Sequence, residues 1–218
     1  RVIPTHRPIQ RKMLPDLIFR YSDDRWHAVV EEIKQMRKQN RPTLVGTRSI
    51  ESSERLSELL NLAKIDHEVL NAVHHEAEAD IVSRAGEKGA VTVATNMAGR
   101  GTDIKLGKGV REAGGLHVIL TERHSARRVD RQLYGRSGRQ GDPGSARNIV
   151  SLEDDLLIKY STRVSKVMRM RYTGNHKPLP RWLKRVFDMA QKKAQNLAFD
   201  SRAQVLKHDE ELDKSLPR

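Results

Sequence analysis

Two short runs constrain the fold of this chain more than anything else in it: Ala90-Val91-Thr92-Val93-Ala94-Thr95 and Leu116-His117-Val118-Ile119-Leu120-Thr121. Neither alternates cleanly between apolar and polar residues. Each therefore reads as a strand buried on both faces, and such strands belong to parallel sheets covered by helices. Residues 43–47, 68–71 and 146–152 read as further strands. Helical stretches separate them. Ser22-Asp23 is expected to cap a helix whose apolar stripe is Trp26, Val29, Val30, Ile33 and Met36, and Asn40-Arg41-Pro42 ends it. Ser49 begins a second helix carrying Leu56, Leu59 and Leu60. A third runs over about 75–85, closed by Gly86, and a fourth over about 125–134. Strands that alternate with helices predict an α/β fold, a parallel sheet with helices on both faces.

The two ends of the chain differ from this middle. Residues 1–21 contain Pro4, Pro8 and Pro15 without a sustained period and read as an extended strap. Beyond Glu153 the chain turns basic. Residues 153–172 read as helical, 173–178 as a break, and a long helix starts near Pro180 with Leu183, Val186, Phe187, Ala190, Ala194 and Leu197 on one side. The net charge is +13, of which +9 falls in 159–218. Such a segment suits nucleic acid or an anionic membrane surface, or is a solvated helical face within a larger assembly. The absence of Cys excludes disulfides and thiolate zinc sites and fits a cytosolic protein. No run approaches the apolar length of a membrane span, and no signal peptide is visible. Because residue 1 is Arg rather than Met, the chain is expected to be a piece of a longer polypeptide. The expected organisation is a strap over 1–21 coming from a preceding domain, an α/β domain over 22–158, and a basic helical segment over 159–218.

The chemistry concentrates in Gln132-Leu133-Tyr134-Gly135-Arg136-Ser137-Gly138-Arg139-Gln140-Gly141. The Q-x-x-G-R-x-G-R spacing suits a helix end that presents two guanidiniums to a phosphate. Arg suits that task because its planar fork matches phosphate oxygens and its charge does not titrate. No G-x-x-x-x-G-K-[ST] phosphate loop occurs in the sequence, so the pattern looks like half of an ATPase. Ligands of an open parallel sheet lie beyond the carboxyl ends of its strands. The loop Asn96-Met97-Ala98-Gly99-Arg100-Gly101-Thr102-Asp103 and the arginine helix each follow a strand, so both are expected at that edge. There Gly99 and Gly101 allow close backbone approach, Arg100 adds a third cation, and Asp103 accepts from a ribose hydroxyl or orients an arginine.

Residues 96–104, 114–117, 121–124 and 132–144 together resemble the second motor domain of the SecA preprotein translocase ATPases. The strap, Leu44-Val45-Gly46-Thr47 and Leu152-Glu153-Asp154-Asp155-Leu156 share the resemblance, which is dense over 1–158 and resumes near Ala190-Gln191-Lys192-Lys193-Ala194. It implies a RecA-like domain followed by the start of a helical scaffold. ATP would lie between this domain and a first motor domain, which supplies the phosphate loop, the acidic residues for Mg2+ and the catalytic base. Arg136 and Arg139 would reach the phosphates, Asp103 and Gly101 would contact the nucleotide, and Arg100 would couple closure to motion. The chain alone would then not hydrolyse ATP. The implied partners are the first motor domain, unfolded preprotein, a membrane channel and anionic lipid, with the protein cytoplasmic and peripheral to the plasma membrane. Tyr134 departs from the family, which usually has arginine there; Ser125-Ala126 and Val73-His74 also differ, and 159–180 matches poorly.

Other readings stay open beside this one. A superfamily-two nucleic-acid helicase shares the fold and the arginine pattern, and a scaffold that lost hydrolysis would keep the fold alone. His74-His75 with Glu76, Glu78 and Asp80 is read as capping and surface solvation rather than a metal site, since adjacent histidines diverge on a helix. His117 is expected as a hydrogen-bonded core residue. Leu106-Gly107-Lys108-Gly109 reads as a flexible connection, and Thr121-Glu122-Arg123-His124 as a salt-bridged hinge beneath the arginine helix.

Overall fold

A computed structural model describes residues 6–70, 78–95, 103–172 and 176–215. Its strands are β1 (Arg11–Met13), β2 (Leu17–Phe19), β3 (Thr43–Thr47), β4 (Glu68–Leu70), β5 (Val91–Thr95), β6 (Leu116–Leu120) and β7 (Gly144–Ser151). They form one sheet in the order β1-β7-β6-β3-β5-β4, with β2 also paired to β7. Every pairing is parallel. The two runs that open the sequence argument are β5 and β6, buried at every position, and they flank β3.

Helices α1 (Ser22–Lys38) and α2 (Ile50–Leu62) cover one face of the sheet, packing Trp26, Ile33, Leu56 and Leu60 on Val45, Val93 and Ile119. Helices α3 (Glu78–Arg84) and α4 (Arg127–Tyr134) cover the other, where Val82 and Leu133 meet Leu44, Val118 and Leu120. Neighbouring residues of one strand thus point to opposite cores, as the period of two requires. Ser49 caps α2 as expected, its side chain accepting from the Ser52 amide at 3.1 Å.

The start of α1 differs from expectation. Ser22 is its first residue rather than its cap, and the Ser22 amide donates to Glu153 Oε2 at 2.9 Å. A carboxylate just past the end of β7, which lies beside β2, satisfies one free N–H and complements the positive helix end. The strap differs too: β1 and β2 extend the sheet along β7. Residues 106–109, expected to be a flexible connection, open a run of hydrogen-bonded turns that reaches residue 115 over the buried Val110 and is tied to Gly86 through the Gly107 amide at 2.9 Å.

Residues 153–172 form two helices broken at Ser161, α5 (Asp155–Tyr160) and α6 (Thr162–Arg171). After a 3-10 turn at Arg181–Leu183, α7 runs over Lys184–Ser215. Its stripe of Leu183, Val186, Phe187, Ala190 and Ala194 packs on Ile18 of the strap, Val150 and Leu152, and α5. Leu197 lies beyond that core and is exposed. No helix among the described residues is long and apolar enough to cross a membrane.

Candidate functional site

Helix α4 is set on the sheet by Val129 and Leu133, one turn apart and both buried. Leu133 lies over Gly46 of β3, where a Cβ would come within 2.1 Å of its Cδ2. Buried Asp130 accepts from the His124 amide and from Gln191 Nε2, at 2.9 and 2.7 Å; burial raises its carboxyl above the usual range. The helix stops at Gly135 and a tight turn follows. Buried Ser137 donates from Oγ to Leu116 O at 2.8 Å. Gly138 adopts φ 66°, and a Cβ there would stand 2.7 Å from Arg11 Cβ, so only glycine fits.

That turn presents Arg139. Its Nη1 donates to Asp103 Oδ1 at 2.7 Å and its Nε to Gly135 O at 2.8 Å. Gln140, at φ 52°, donates from Nε2 to Asp103 Oδ2 at 3.2 Å. Both members of the Arg139–Asp103 pair keep more than a third of their side-chain surface in solvent, 38% and 37%. Arg136 is half-buried in the same turn and engaged with neighbouring groups. The pair borders a cavity of about 560 Å³ lined also by Arg7, Arg11 and Gly138. It borders a second of about 510 Å³ with Lys105, Lys108, Arg111 and Asp142. Arginines dominate the first wall, a composition that fits phosphate, whereas the second sets Lys105, Lys108, Arg111 and Arg139 against Asp103, Glu112 and Asp142. Arg100, Gly99 and Gly101 lie outside the described residues, as do His74, His75 and Glu76.

Arg139 and Asp103 meet as expected, but at the amino edge of the sheet rather than the carboxyl edge. Ser137 rests on the first residue of β6 and Gly138 on the first of β1. An eight-residue helix runs about 12 Å back along the strand it follows. It begins at the carboxyl edge and delivers its last turn to the opposite one.

At the start of α4 stands Arg123, where a salt-bridged hinge was expected. The salt bridges are there: its Nη2 donates to Asp16 Oδ2 at 2.5 Å and its Nη1 to Asp188 Oδ1 at 2.6 Å. Burial disfavours its charge, yet the two carboxylates outweigh that and raise its pKa. Arg123 thereby ties strap, sheet and α7 together. Tyr134, the departure from the usual arginine, donates to Asn148 Oδ1 at 2.5 Å, and Asn148 Nδ2 donates to Asp16 Oδ1 at 2.9 Å. Tyr134 thus joins the structural network behind the turn.

His117 is fully buried, as expected. Its Nδ1 lies 2.8 Å from Ser145 Oγ, and its Nε2 is 3.2 Å from Glu32 Oε1 without hydrogen-bond alignment. Burial lowers its pKa despite Glu32. Burial alone would raise Glu32, but His117 and Arg147 bring it below the usual carboxylate range. At the carboxyl edge, Arg25 bonds Asp154 at 2.7 Å with Glu122 3.4 Å away. Burial pushes Asp154 up to about 7 against the pull of Arg25.

Sequence reasoning missed Arg11, whose Nη1 donates to Tyr134 O at 3.2 Å and Ser137 O at 3.1 Å. No local pattern marks it, because its partners lie more than a hundred residues away.

Comparison with known proteins gives the family. A family model described as the SecA P-loop domain matches residues 8–111 and 108–175. The chain is 53% identical over 215 residues to the protein translocase subunit SecA of Thermotoga neapolitana, covering 98% of this chain and 25% of that protein. It is 52% identical to the corresponding subunit of Clostridium novyi, covering 98% and 26%. The chain therefore spans about a quarter of the length of these curated relatives. Among solved structures, it resembles the E. coli DEAD-box protein SrmB, with TM-score 0.53 and 23% identity over 71% of this chain and 84% of that one. It also resembles the yeast DEAD-box splicing factor Prp28, with TM-score 0.54 and 16% identity over 85% and 38%. At those identities the likeness speaks for a RecA-like fold and nothing more.

Proposed function

The chain belongs to the SecA family, and from that premise we propose that it is the second motor domain of a SecA-type ATPase that drives preproteins through a membrane channel. The observation that carries this reading is the half-exposed Arg139–Asp103 pair in a cation-lined cavity. ATP, held with its Mg2+ by a first motor domain, supplies the phosphoryl group to be transferred. Arg139 meets it by exchanging one anion for another. A half-exposed ion pair is worth only about 0.2–1 kcal/mol, so leaving Asp103 costs little. A charge-assisted contact to phosphate, away from water, is stronger, at about 1.5–3 kcal/mol. The Nε–Gly135 bond fixes the guanidinium while Nη1 exchanges its partner. Arg136 brings a second cation on the same turn. The two stabilise charge that develops on the phosphoryl oxygens, the role of an arginine finger. In this reading Asp103, once released, accepts from the nucleotide, and Arg100 and Gly101 complete the contact.

In this reading 1–21 is the strap from the first motor domain, 22–158 the motor domain and 159–218 the start of a helical scaffold. The partners are that first domain, unfolded preprotein and the membrane channel. The basic 159–218 segment meets anionic lipid, and the protein works in the cytoplasm, peripheral to the plasma membrane. Without a phosphate loop the chain alone is expected to hydrolyse no ATP.

The test is ATP turnover by the chain joined to a first motor domain and its preprotein-binding region, with unfolded preprotein in one sample and RNA in another. Stimulation by preprotein is expected. Stimulation by RNA alone would move the assignment to a helicase, and silence in both would leave a scaffold.

A further inference from the structure

We propose that Arg11 is a positioning residue for the arginine turn, and that the strap carrying it sets whether Arg139 is held ready for a phosphate; this rests on the reading of Arg139 given above. Helix α4 ends in a tight turn in which Tyr134 O accepts from the Ser137 amide at 3.1 Å, and a carbonyl oxygen there keeps a second lone pair for another donor. Arg11 reaches across from β1 and donates from one nitrogen, Nη1, to Tyr134 O at 3.2 Å and Ser137 O at 3.1 Å. These two carbonyls bracket Gly135 and Arg136. A cation there also suits the negative end of the helix. Gly135, between them in sequence, supplies the carbonyl that fixes Arg139 Nε at 2.8 Å. Three residues further on, Gly138 is pressed against the Arg11 stem, with room for no Cβ. One side chain thus fixes the turn by its head and by its stem.

The strap makes a second contact with the same turn. Arg7 Nη1 donates to Gln140 O at 3.0 Å, in solvent. Gln140 holds the left-handed conformation that L residues rarely adopt, and its side chain is the other donor to Asp103. Arg7 and Arg11 therefore grip the turn on both sides of Arg139.

The strap is not held equally along its length. Its later end is locked by Asp16, buried against Arg123 and bonded to Asn148. Its earlier end is held by the three-residue strand β1 and by these arginines, which are exposed or half-buried. Tension on the strap would release Arg7 first and Arg11 next, while Asp16 stays in place. With the first motor domain joined through the strap, movement of that domain reaches the arginine turn through Arg11. Closure presses β1 onto β7 and sets Arg139; opening draws Arg11 from the carbonyls and loosens it.

Three variants test this in the chain joined to its first motor domain: Arg11→Met, which keeps the packed stem and removes the donors, Arg11→Lys, which restores a donor, and Arg139→Ala. A misplaced catalytic group costs on the order of 10²-fold. Arg11→Met is expected to lower kcat by about that factor with KM for ATP within about twofold, and Arg11→Lys to recover most of it. In the chain alone, nitrogen NMR of the Arg139 Nε–H reports the bond to Gly135 O. That proton should exchange faster in Arg11→Met and return towards the original rate in Arg11→Lys. If Arg139→Ala loses turnover while Arg11→Met keeps both kcat and the Nε–H protection, the positioning role is wrong and the site reading stands. If Arg139→Ala keeps turnover, the site reading fails, and the Nε–H exchange still decides whether Arg11 orders the turn. Equal losses in Arg11→Met and Arg11→Lys, with the melting temperature lowered in both, would also overturn the proposal, since the residue would then serve the fold alone.

Discussion

Helix α4 begins beside one arginine–carboxylate pair and ends beside another, and the two are built for opposite purposes. Arg123 and Asp16 at its start keep 5% and 6% of their side-chain surface in solvent; Arg139 and Asp103 past its end keep 38% and 37%. The bond lengths are similar, 2.5 and 2.7 Å. Burial separates them. Parting the first pair leaves Asp16 desolvated with only Asn148 to donate to it, whereas parting the second hands both groups to water or to a stronger anion. The same chemistry is a staple at one end of the helix and an exchangeable contact at the other. The proposed motor role would need both, because a cation that moves onto phosphate must be carried by a frame that does not move.

The largest expected effect is on the staple. Arg123→Ala strands the buried Asp16, Asp188 being half in solvent, and should destabilise the chain by about 3–5 kcal/mol, read from urea midpoints. A change below about 1 kcal/mol would place Arg123 in the exchangeable class and break the comparison.

Asp154, paired with Arg25, sharpens the comparison by pH. Burial raises its folded-state pKa to about 7, above the ordinary aspartate value of 3.8. Between those values the folded chain holds a proton that the unfolded chain has lost. Its contribution is therefore complete below the lower value and fades as pH rises through the upper. The original chain should lose stability relative to Asp154→Asn by up to about 1.4 kcal/mol per pH unit across that window. Parallel stability curves at pH 4.5, 5.5 and 6.5 would contradict the buried assignment.

The smallest effect belongs to the exchangeable pair. Asp103→Ala should shift stability by no more than about 1 kcal/mol, less in high salt, with the melting temperature little changed. A shift as large as that of Arg123→Ala would make Asp103 structural.

Some of this was legible in the sequence and some was not, for physical reasons. The parallel sheet could be read because β5 and β6 are apolar on both faces, a pattern that a half-solvated strand does not show. The beginning of β7 was placed two residues late, since Gly144 and Ser145 carry no apolar signal and pair through the backbone. β1 was unreadable for the same reason. Serine at position 161 interrupts a stretch whose composition is helical throughout. The motifs singled out Arg139 and Asp103, which the structure pairs, but the spacing did not say that a short helix would carry the arginine to the opposite edge. Arg11 was invisible because its bonds join residues 123 and 126 positions apart.

The most direct test of the central claim is ATP turnover and melting temperature of Arg139→Ala, measured in the chain joined to its first motor domain. An arginine finger predicts turnover lower by about 10³-fold or more, with the melting temperature unchanged. Turnover at the original rate would contradict the account and leave the Arg139–Asp103 pair as surface electrostatics.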